Sequence, residues 1–461
     1  MRIYNSLTKQ VEDFKPIDSE KVKIYCCGPT VYLHSHIGNW RTYLLADLVN
    51  RVLNLDGLKT DFIMNLTDVG HLFEVGDGPE GGEDKVEKQA LEEGKTAKEI
   101  TKFYIDSFLS DYKEFNLTQP RKFTKASEYI DDQIDLIATL EEKGYTYETS
   151  DGLYFDTSKF KKYGELSGLS VEDVKEGARV EVNPEKKNST DFALWKFSPK
   201  DKKRQQEWQS PWGVGFPGWH IECSAMILAE LGDNIDIHAG GEDLKMVHHQ
   251  NEIAQSECAT GKTFVNYWVH GAFLSIDGGK MSKSLGNVYT LNDIKLRGYT
   301  AMDLRYLFMT ASYRVPLNFT WESIQNAQNS LRKIYEIIGS YEQDPNAEIS
   351  EKYVKKFKDA LDDDLNMPEA LAVVWELLKS NIPESSKLNT ILKLDEFMGL
   401  KLDEHIGYEI PDNISDIAKM RKEYRKNGIW DKADVLRREA VDLGYIIEDL
   451  PDGTYKIKKK F

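Results

Sequence analysis

The 461-residue chain is 40% hydrophobic and 30% charged, which supplies a sizeable core and exceeds a comfortable single domain. Its formal net charge of −17 argues against non-specific nucleic-acid binding as the main activity; an RNA would have to meet a local basic face. No apolar run approaches the ~20 residues that cross a bilayer, residues 1–23 mix charges throughout, and four scattered cysteines exclude a disulfide scaffold, so a soluble cytoplasmic protein without a membrane partner is expected.

In chain order, Val22-Lys23-Ile24-Tyr25-Cys26 is β-branched and aromatic and predicts a strand. Apolar spacing at Tyr43, Leu44, Leu48, Val52 and Leu55 predicts a helix over 40–55, and Asp61-Phe62-Ile63-Met64 predicts the next strand. Strand, helix, strand in such a short stretch predicts a parallel α/β unit. Residues 76–84, rich in Gly and acid, read as a surface loop, followed by helices over 96–115 and 126–143. Residues 145–209 carry short β-like pieces such as Leu153-Tyr154-Phe155 between charged runs such as Lys200-Asp201-Lys202-Lys203-Arg204, and read as a small inserted domain. The α/β pattern then resumes with a helix over 220–231, a strand over 235–238, a helix over 247–258 and a strand over 267–269. Helices dominate from residue 320, with a linker at 344–346, and residues 445–458 read as a hairpin turning at Pro451-Asp452-Gly453.

Three constellations carry chemistry. The first is His34-Ser35-His36-Ile37-Gly38-Asn39, between the first strand and the first long helix. A glycine there lets a flat ligand approach the backbone, a helix N-terminus favours phosphate, and an imidazole can donate to a phosphate oxygen; alone, such residues serve equally as turn and cap. The second is Lys280-Met281-Ser282-Lys283-Ser284, between Gly278-Gly279 and Leu285-Gly286-Asn287. Two ammonium groups on a flexible loop suit a pyrophosphate that gains charge in the transition state, or form an ordinary solvated basic turn. The third combines Cys27 at a strand end, Cys223, and His248 with Glu252, which four-residue spacing places on one helix face. Two thiolates, an imidazole and a carboxylate can make a four-ligand zinc site, or be a buried strand end and an unrelated surface pair. Toward the C-terminus, Ile414, Ile417, Met420 and Tyr424, then Trp430, Ala433, Leu436 and Ala440, predict paired amphipathic helices. Arg421, Lys422, Arg425 and Lys426 beside Trp430 suit single-stranded RNA, where bases stack and phosphates need countercharge; the alternative is a helical hairpin around a buried tryptophan. Lys456, Lys458, Lys459 and Lys460 crowd the C-terminus.

Together the first two motifs resemble the HIGH and KMSKS signatures of class I aminoacyl-tRNA synthetases. Asn39 stands where the family usually has a second histidine; it keeps a donor but cannot carry charge. Further strings resemble cysteinyl-tRNA synthetases over nearly the whole chain: Cys27-Gly28-Pro29-Thr30-Val31-Tyr32, Asn65-Leu66-Thr67-Asp68, Ser210-Pro211-Trp212-Gly213, Pro217-Gly218-Trp219-His220-Ile221-Glu222-Cys223-Ser224, Asp236-Ile237-His238-Ala239-Gly240-Gly241, Asn251-Glu252-Ile253-Ala254-Gln255-Ser256, Ile429-Trp430-Asp431-Lys432-Ala433-Asp434 and Gly444-Tyr445-Ile446-Ile447-Glu448-Asp449.

The resemblance implies an α/β fold. A Rossmann-like parallel-sheet catalytic domain (1–144 and 210–290) carries a small inserted domain (145–209). A stem-contact segment (291–345), a helical bundle (346–410) and an anticodon-binding tail (411–461) follow, so that an α-helical C-terminal region ends in a short β-hairpin. It implies a monomer acting on ATP, L-cysteine and cysteine tRNA. Zinc would be held by Cys27, Cys223, His248 and Glu252 and take the substrate thiol as an added ligand. Thr67 and Trp219 would line the amino-acid pocket, with Asp243 a candidate there. His36, Gly38, Asn39 and Lys283 would bind ATP, accompanied by Mg2+, and His36, Asn39, Lys280 and Lys283 would serve catalysis. Arg425, Trp430, Asp434 and Asp449 would meet the GCA anticodon. Zinc makes physical sense, because a hydrophobic pocket separates cysteine from serine or alanine by only about 1–3 kcal/mol. A thiolate on zinc has no good hydroxyl or methyl counterpart, and the short inserted segment fits the absence of an editing domain.

The family commonly follows Asn65-Leu66-Thr67-Asp68 with an acid pair and a lysine. Here Val69-Gly70-His71-Leu72 and the acidic loop intervene before Glu83-Asp84-Lys85, which reads as an insertion with His71 outside catalysis. Cys26 and Cys258 are expected to be structural. The alternatives are an ATP-dependent ligase joining cysteine to an amino sugar, a class I synthetase for another amino acid such as methionine, and a catalytically silent RNA-binding paralogue.

Overall fold

The computed structural model describes residues 1–70, 84–168, 184–199, 203–282, 285–407, 410–450 and 453–459. His71, most of the acidic loop, Lys200 to Lys202, Lys283, Pro451, Asp452 and Lys460 therefore lie outside the described residues. The chain divides into two compact units. The first comprises Met1–Gly298, Tyr313–Asn318 and Asp362–Leu365; the second comprises Tyr299–Ser312, Phe319–Leu361 and Asn366–Phe461.

The first unit opens with a hairpin of β1 (Arg2–Asn5) and β2 (Gln10–Asp13). Next come β3 (Lys21–Cys26), α1 (Ile37–Leu55), β4 (Lys59–Leu66), α2 (Lys85–Glu93), α3 (Ala97–Glu114), β5 (Lys122–Lys125) and α4 (Ile130–Glu142). An antiparallel sheet follows, of β6 (Thr146–Thr149), β7 (Gly152–Phe155), β8 (Phe192–Phe197) and β9 (Gly215–Pro217). Then come α5 (Trp219–Leu231), β10 (Ile235–Gly241), α6 (Glu242–Lys245), α7 (His248–Thr260) and β11 (Val265–Gly271). The main sheet has the order β11-β10-β3-β4-β5, with every pairing parallel.

Burial explains the strands. Val22, Ile24, Tyr25 and Cys26 of β3 are all buried, the near-continuous apolar run of a strand covered on both faces. From β3 the chain winds outward through β4 to β5, then returns to β10 on the other side. Winding direction thus reverses between β3 and β10, and the crevice beyond their carboxyl ends is where such sheets bind ligands. Gly28 is required just there: a Cβ on it would lie 1.9 Å from the Asn65 carbonyl oxygen.

Several elements differ from the sequence expectation: the β1–β2 hairpin and β5 fall where no strand is predicted, the antiparallel sheet runs on to β9 beyond residue 209, and two helix starts are set by caps. The first long helix begins at Ile37, earlier than its apolar spacing suggests, because His36 caps it. Helix α2 has no apolar stripe to announce it; the Asp84 carboxylate starts it by accepting from the Val86 and Glu87 N–H groups at 2.8 and 3.0 Å.

The second unit is helical. It includes Trp321–Gly339, Met367–Lys379, Glu384–Met398, Asp412–Lys426 and Trp430–Asp442, and ends in an antiparallel hairpin of Tyr445–Asp449 with Tyr455–Lys459. Ile414, Ile417, Ala418, Ala440 and Ile447 form a core that ties the last two helices to the hairpin. Among the described residues no helix is long and apolar enough to cross a membrane.

Candidate active site and metal centre

Four donor groups from three segments meet at the carboxyl end of β3. Cys27 leaves β3, Cys223 lies in the second turn of α5, and His248 and Glu252 stand one turn apart on α7. All four are buried, and their donor atoms lie within 4.8 Å of one another. Cys27 Sγ is 4.0 Å from Cys223 Sγ and 4.0 Å from Glu252 Oε1, and His248 Nε2 is 3.0 Å from Glu252 Oε1. Zinc bonds of about 2.0–2.3 Å imply donor separations of about 3.3–3.8 Å around a tetrahedron, so this set fits the ion with small adjustments. Its two sulfurs and one imidazole suit a borderline-soft cation and not magnesium or calcium, which take oxygen.

A second set, Cys27, His238, His249 and Glu252, is equally compact and buried. His249 Nε2 is 3.4 Å from Cys27 Sγ, and His238 Nε2 is 3.0 Å from Glu252 Oε2. Five of the chain's nine histidines gather here. His220 Nδ1 lies 2.9 Å from His248 Nδ1, which turns His248 Nε2 toward Glu252. His249 Nδ1 meets His270 Nε2 at 2.8 Å, and His270 Nδ1 meets Ser6 Oγ at 2.8 Å. Such outer bonds fix ring orientation and tautomer. His220, His238, His249 and His270 were not singled out by the sequence reading. Their only signal was that two stood inside the resembling strings and one beside His248.

The electrostatics follow from burial and crowding. A hydrogen bond from Cys27 brings the Cys223 thiol down to about 6, against burial and Glu252. Burial, with Cys223 nearby, pushes the Cys27 thiol well above its usual range. Burial would raise Glu252, but His238 and His248 hold it at about 2. Burial would lower His248, but Glu252 and Cys223 lift it to about 10. Cys223 and Glu252 are thus held toward their anionic forms beside His248, a set whose negative charge a divalent cation would compensate.

The histidine motif starts α1. His36 Nδ1 accepts from the Asn39 N–H at 3.2 Å, and Asn39 Oδ1 accepts from the His36 N–H at 3.1 Å, a reciprocal capping box. A Cβ on Gly38 would lie 3.1 Å from the His36 ring and 3.4 Å from Met281 Cε, so the two motifs touch at Gly38. The Ile37 N–H donates to the Tyr289 carbonyl at 2.8 Å, which ties the helix start to the segment after the lysine loop. Asn287 closes that loop, accepting from the Ser282 N–H at 2.8 Å and donating to the Lys280 carbonyl at 3.1 Å. Lys280 is exposed.

The remaining site residues fall in two places. Thr67 is buried beside the Cys27 segment: its N–H donates to the Pro29 carbonyl at 3.0 Å and its carbonyl accepts from the Val31 N–H at 3.0 Å. The Trp219 and His248 ring centroids are 4.3 Å apart. Solvent reaches the Asp243 side chain while surrounding protein raises its pKa, as expected for a carboxylate in a cleft. In the second unit, Arg425 pairs with Asp449 at 2.7 Å and its guanidinium lies 5.4 Å from the Trp430 ring centroid. Arg421 grips the same carboxylate with two bonds of 2.7 and 2.8 Å. Asp434 follows Trp430 one helical turn later. Trp430 is 58% exposed, which rules out the buried-tryptophan alternative.

The family of tRNA synthetases class I (C) catalytic domains matches residues 13–329, and the DALR domain matches residues 356–381. The chain is similar to cysteine–tRNA ligase 1 of Burkholderia lata, 42% identical over 456 residues, covering 98% of this chain and 96% of that protein. It is 40% identical over 484 residues to the cysteine–tRNA ligase of Thermococcus onnurineus, covering 98% of each. The Treponema denticola cysteine–tRNA ligase is 39% identical over 484 residues, covering 97% of this chain and 98% of that protein. Among solved structures, Mycobacterium tuberculosis methionyl-tRNA synthetase in complex with methionyl-adenylate has a TM-score of 0.59 at 14% identity, covering 84% of this chain and 93% of that one. At that identity the likeness shows the fold alone.

Proposed function

The chain belongs to the cysteine–tRNA ligases of class I, and from that membership we infer that it activates L-cysteine with ATP and transfers it to cysteine tRNA. The observation that supports thiol selection is the convergence of Cys27, Cys223, His248 and Glu252 from three distant segments. These residues would hold zinc. When bound, the ion supplies a soft site for the substrate thiolate that a hydroxyl or methyl group cannot match.

The chain's own groups would do the rest. Thr67 and Trp219 flank the amino acid, and the Asp243 carboxylate can take its α-ammonium. ATP, accompanied by magnesium, lies at the start of α1, where the helix N-terminus and the His36 ring favour phosphate oxygens and Gly38 permits close approach. A carboxylate oxygen of cysteine attacks the α-phosphorus; the bond to the bridging oxygen breaks and pyrophosphate leaves. Lys280 and Lys283 supply countercharge to that leaving group. A ribose hydroxyl of the terminal tRNA adenosine then attacks the carbonyl carbon, gives up its proton and displaces AMP. No protein nucleophile is needed, so positioning and charge stabilisation dominate. Arg425, Trp430, Asp434 and Asp449 would read the anticodon. The amino-sugar ligase is disfavoured, because the relatives matched from end to end are tRNA ligases.

The test is charging of cysteine tRNA with labelled cysteine, beside serine and an anticodon-mutated tRNA. Charging with cysteine alone, weakened by the anticodon change, is expected. Cysteine-dependent ATP–pyrophosphate exchange without charging would move the acceptor to an amino sugar. Failure of both would leave a silent paralogue.

A further inference from the structure

Arg204 ends the charged run over 200–204, yet it is only 5% exposed. Its guanidinium covers the Phe216 ring at 3.7 Å, pairs with the buried Asp84 carboxylate, and donates to the Gly70 carbonyl at 3.3 Å. Planar stacking combined with a carboxylate contact is chemistry that arginine offers and lysine does not. Phe216 lies on β9, which leads through Gly218 into Trp219. Asp84 caps α2 with its other oxygen. One side chain therefore joins the strand before Trp219 to the segment after Thr67.

Its neighbours tighten the same joint. The Gln206 amide donates to the Asp68 carbonyl at 2.7 Å and accepts from the Gly70 N–H at 3.0 Å, bracketing Val69 from both sides. Val69 is fully buried in the apolar cluster that contains Cys27 and Cys223. The Gln205 N–H donates to Glu87 Oε1 at 2.7 Å, and Gln205 Oε1 accepts from the Ala97 N–H at 2.8 Å, holding α2 and the start of α3. Gly70 admits no side chain here: a Cβ would lie 1.9 Å from Asp84 Oδ1.

We propose that Arg204 and Gln206 are positioning residues for cysteine binding, seating Val69 and the Phe216–Trp219 segment so that the pocket presents its thiol-binding wall. The proposal rests on the cysteine-activating reading above. It is tested with the full chain by ATP–pyrophosphate exchange, titrating cysteine and ATP separately and measuring bound metal on the same samples. Gln206→Ala and Arg204→Ala should each raise the KM for cysteine about tenfold. The KM for ATP and the metal content should stay within about twofold. Arg204→Lys, which can pair with Asp84 but not stack flat on Phe216, should recover part of the loss. Should Arg204→Ala fail to fold, Gln206→Ala leaves the ion pair intact and decides the matter. A cysteine KM within about twofold of the unsubstituted chain, or cysteine and ATP KM values rising together, would overturn the proposal and mark the bracket as scaffold. Absence of cysteine-dependent exchange in the unsubstituted chain would instead overturn the parent reading, and this proposal with it.

Discussion

Cys223 separates two donor sets that share Cys27 and Glu252. If the ion sits on Cys27, Cys223, His248 and Glu252, Cys223→Ser should take bound metal from about one per chain to near none and abolish cysteine-dependent exchange, with the fold retained. His249→Ala should then keep the metal. The reverse outcome, measured by elemental analysis after gel filtration, would place the ion on His238 and His249. His238 also tests the supporting bonds. Its Nε2 sits 3.0 Å from Glu252 Oε2, the oxygen turned away from His248. Groups that orient a ligand in this way are worth about 10–100-fold in metal affinity, so His238→Ala should weaken retention by that factor in competition with a chelator. Unchanged retention would show that packing alone orients Glu252.

Between elements, Glu230 joins α5 to the edge strand β5. It accepts from Lys122 at 2.7 Å, from Arg121 at 3.1 Å and from the Tyr129 hydroxyl. Burial would raise its pKa; Lys122, Tyr129 and Arg121 outweigh that and hold it at about 2. The unfolded glutamate titrates near 4.3. A depressed folded pKa favours the fold above the unfolded value, and the contribution is lost as pH falls from about 5 to about 2. The partners are partly exposed, so Glu230→Gln should cost only about 1–2 kcal/mol at pH 7 by urea denaturation. The cost should shrink steadily through that window; a pH-independent cost would refute the ionic origin. What was legible at this scale follows the same physics. The four inner strands β3, β4, β10 and β11 announce themselves by their buried apolar runs, whereas β5, with only Thr124 buried, does not; the four-residue spacing of His248 and Glu252 then places both on one face of α7. Helix α2 could not, since only Val86, Glu87 and Ala90 are buried and its start depends on one aspartate. The pairings within the histidine layer and the Arg204 bracket were silent too. Their bonds join residues 28, 21 and 120 positions apart, and no local period encodes such meetings.

At the scale of the whole molecule, the net charge of −17 denies the chain any general attraction for phosphate. RNA recognition must then rest on a few placed contacts, and the proposed ones lie in the second unit. Trp430 stands exposed with Arg425 beside it, and Arg425 is held by Asp449, itself fixed by the buried Arg421. Such an arrangement would serve as a stacking platform with its cation already oriented, which would lower the ordering cost of binding a base. Stacking of one base on an aromatic is worth about 1–3 kcal/mol, so Trp430→Ala should reduce kcat/KM for tRNA charging by about 5–150-fold. Cysteine-dependent pyrophosphate exchange needs no tRNA and involves only the first unit's site, so the same variant should leave it unchanged. Parallel losses in both assays would mean that Trp430 supports the fold of the whole chain and not contact with the RNA. A loss confined to charging would mean that the two units divide the reaction, one selecting the amino acid by its sulfur and the other selecting the RNA by its bases.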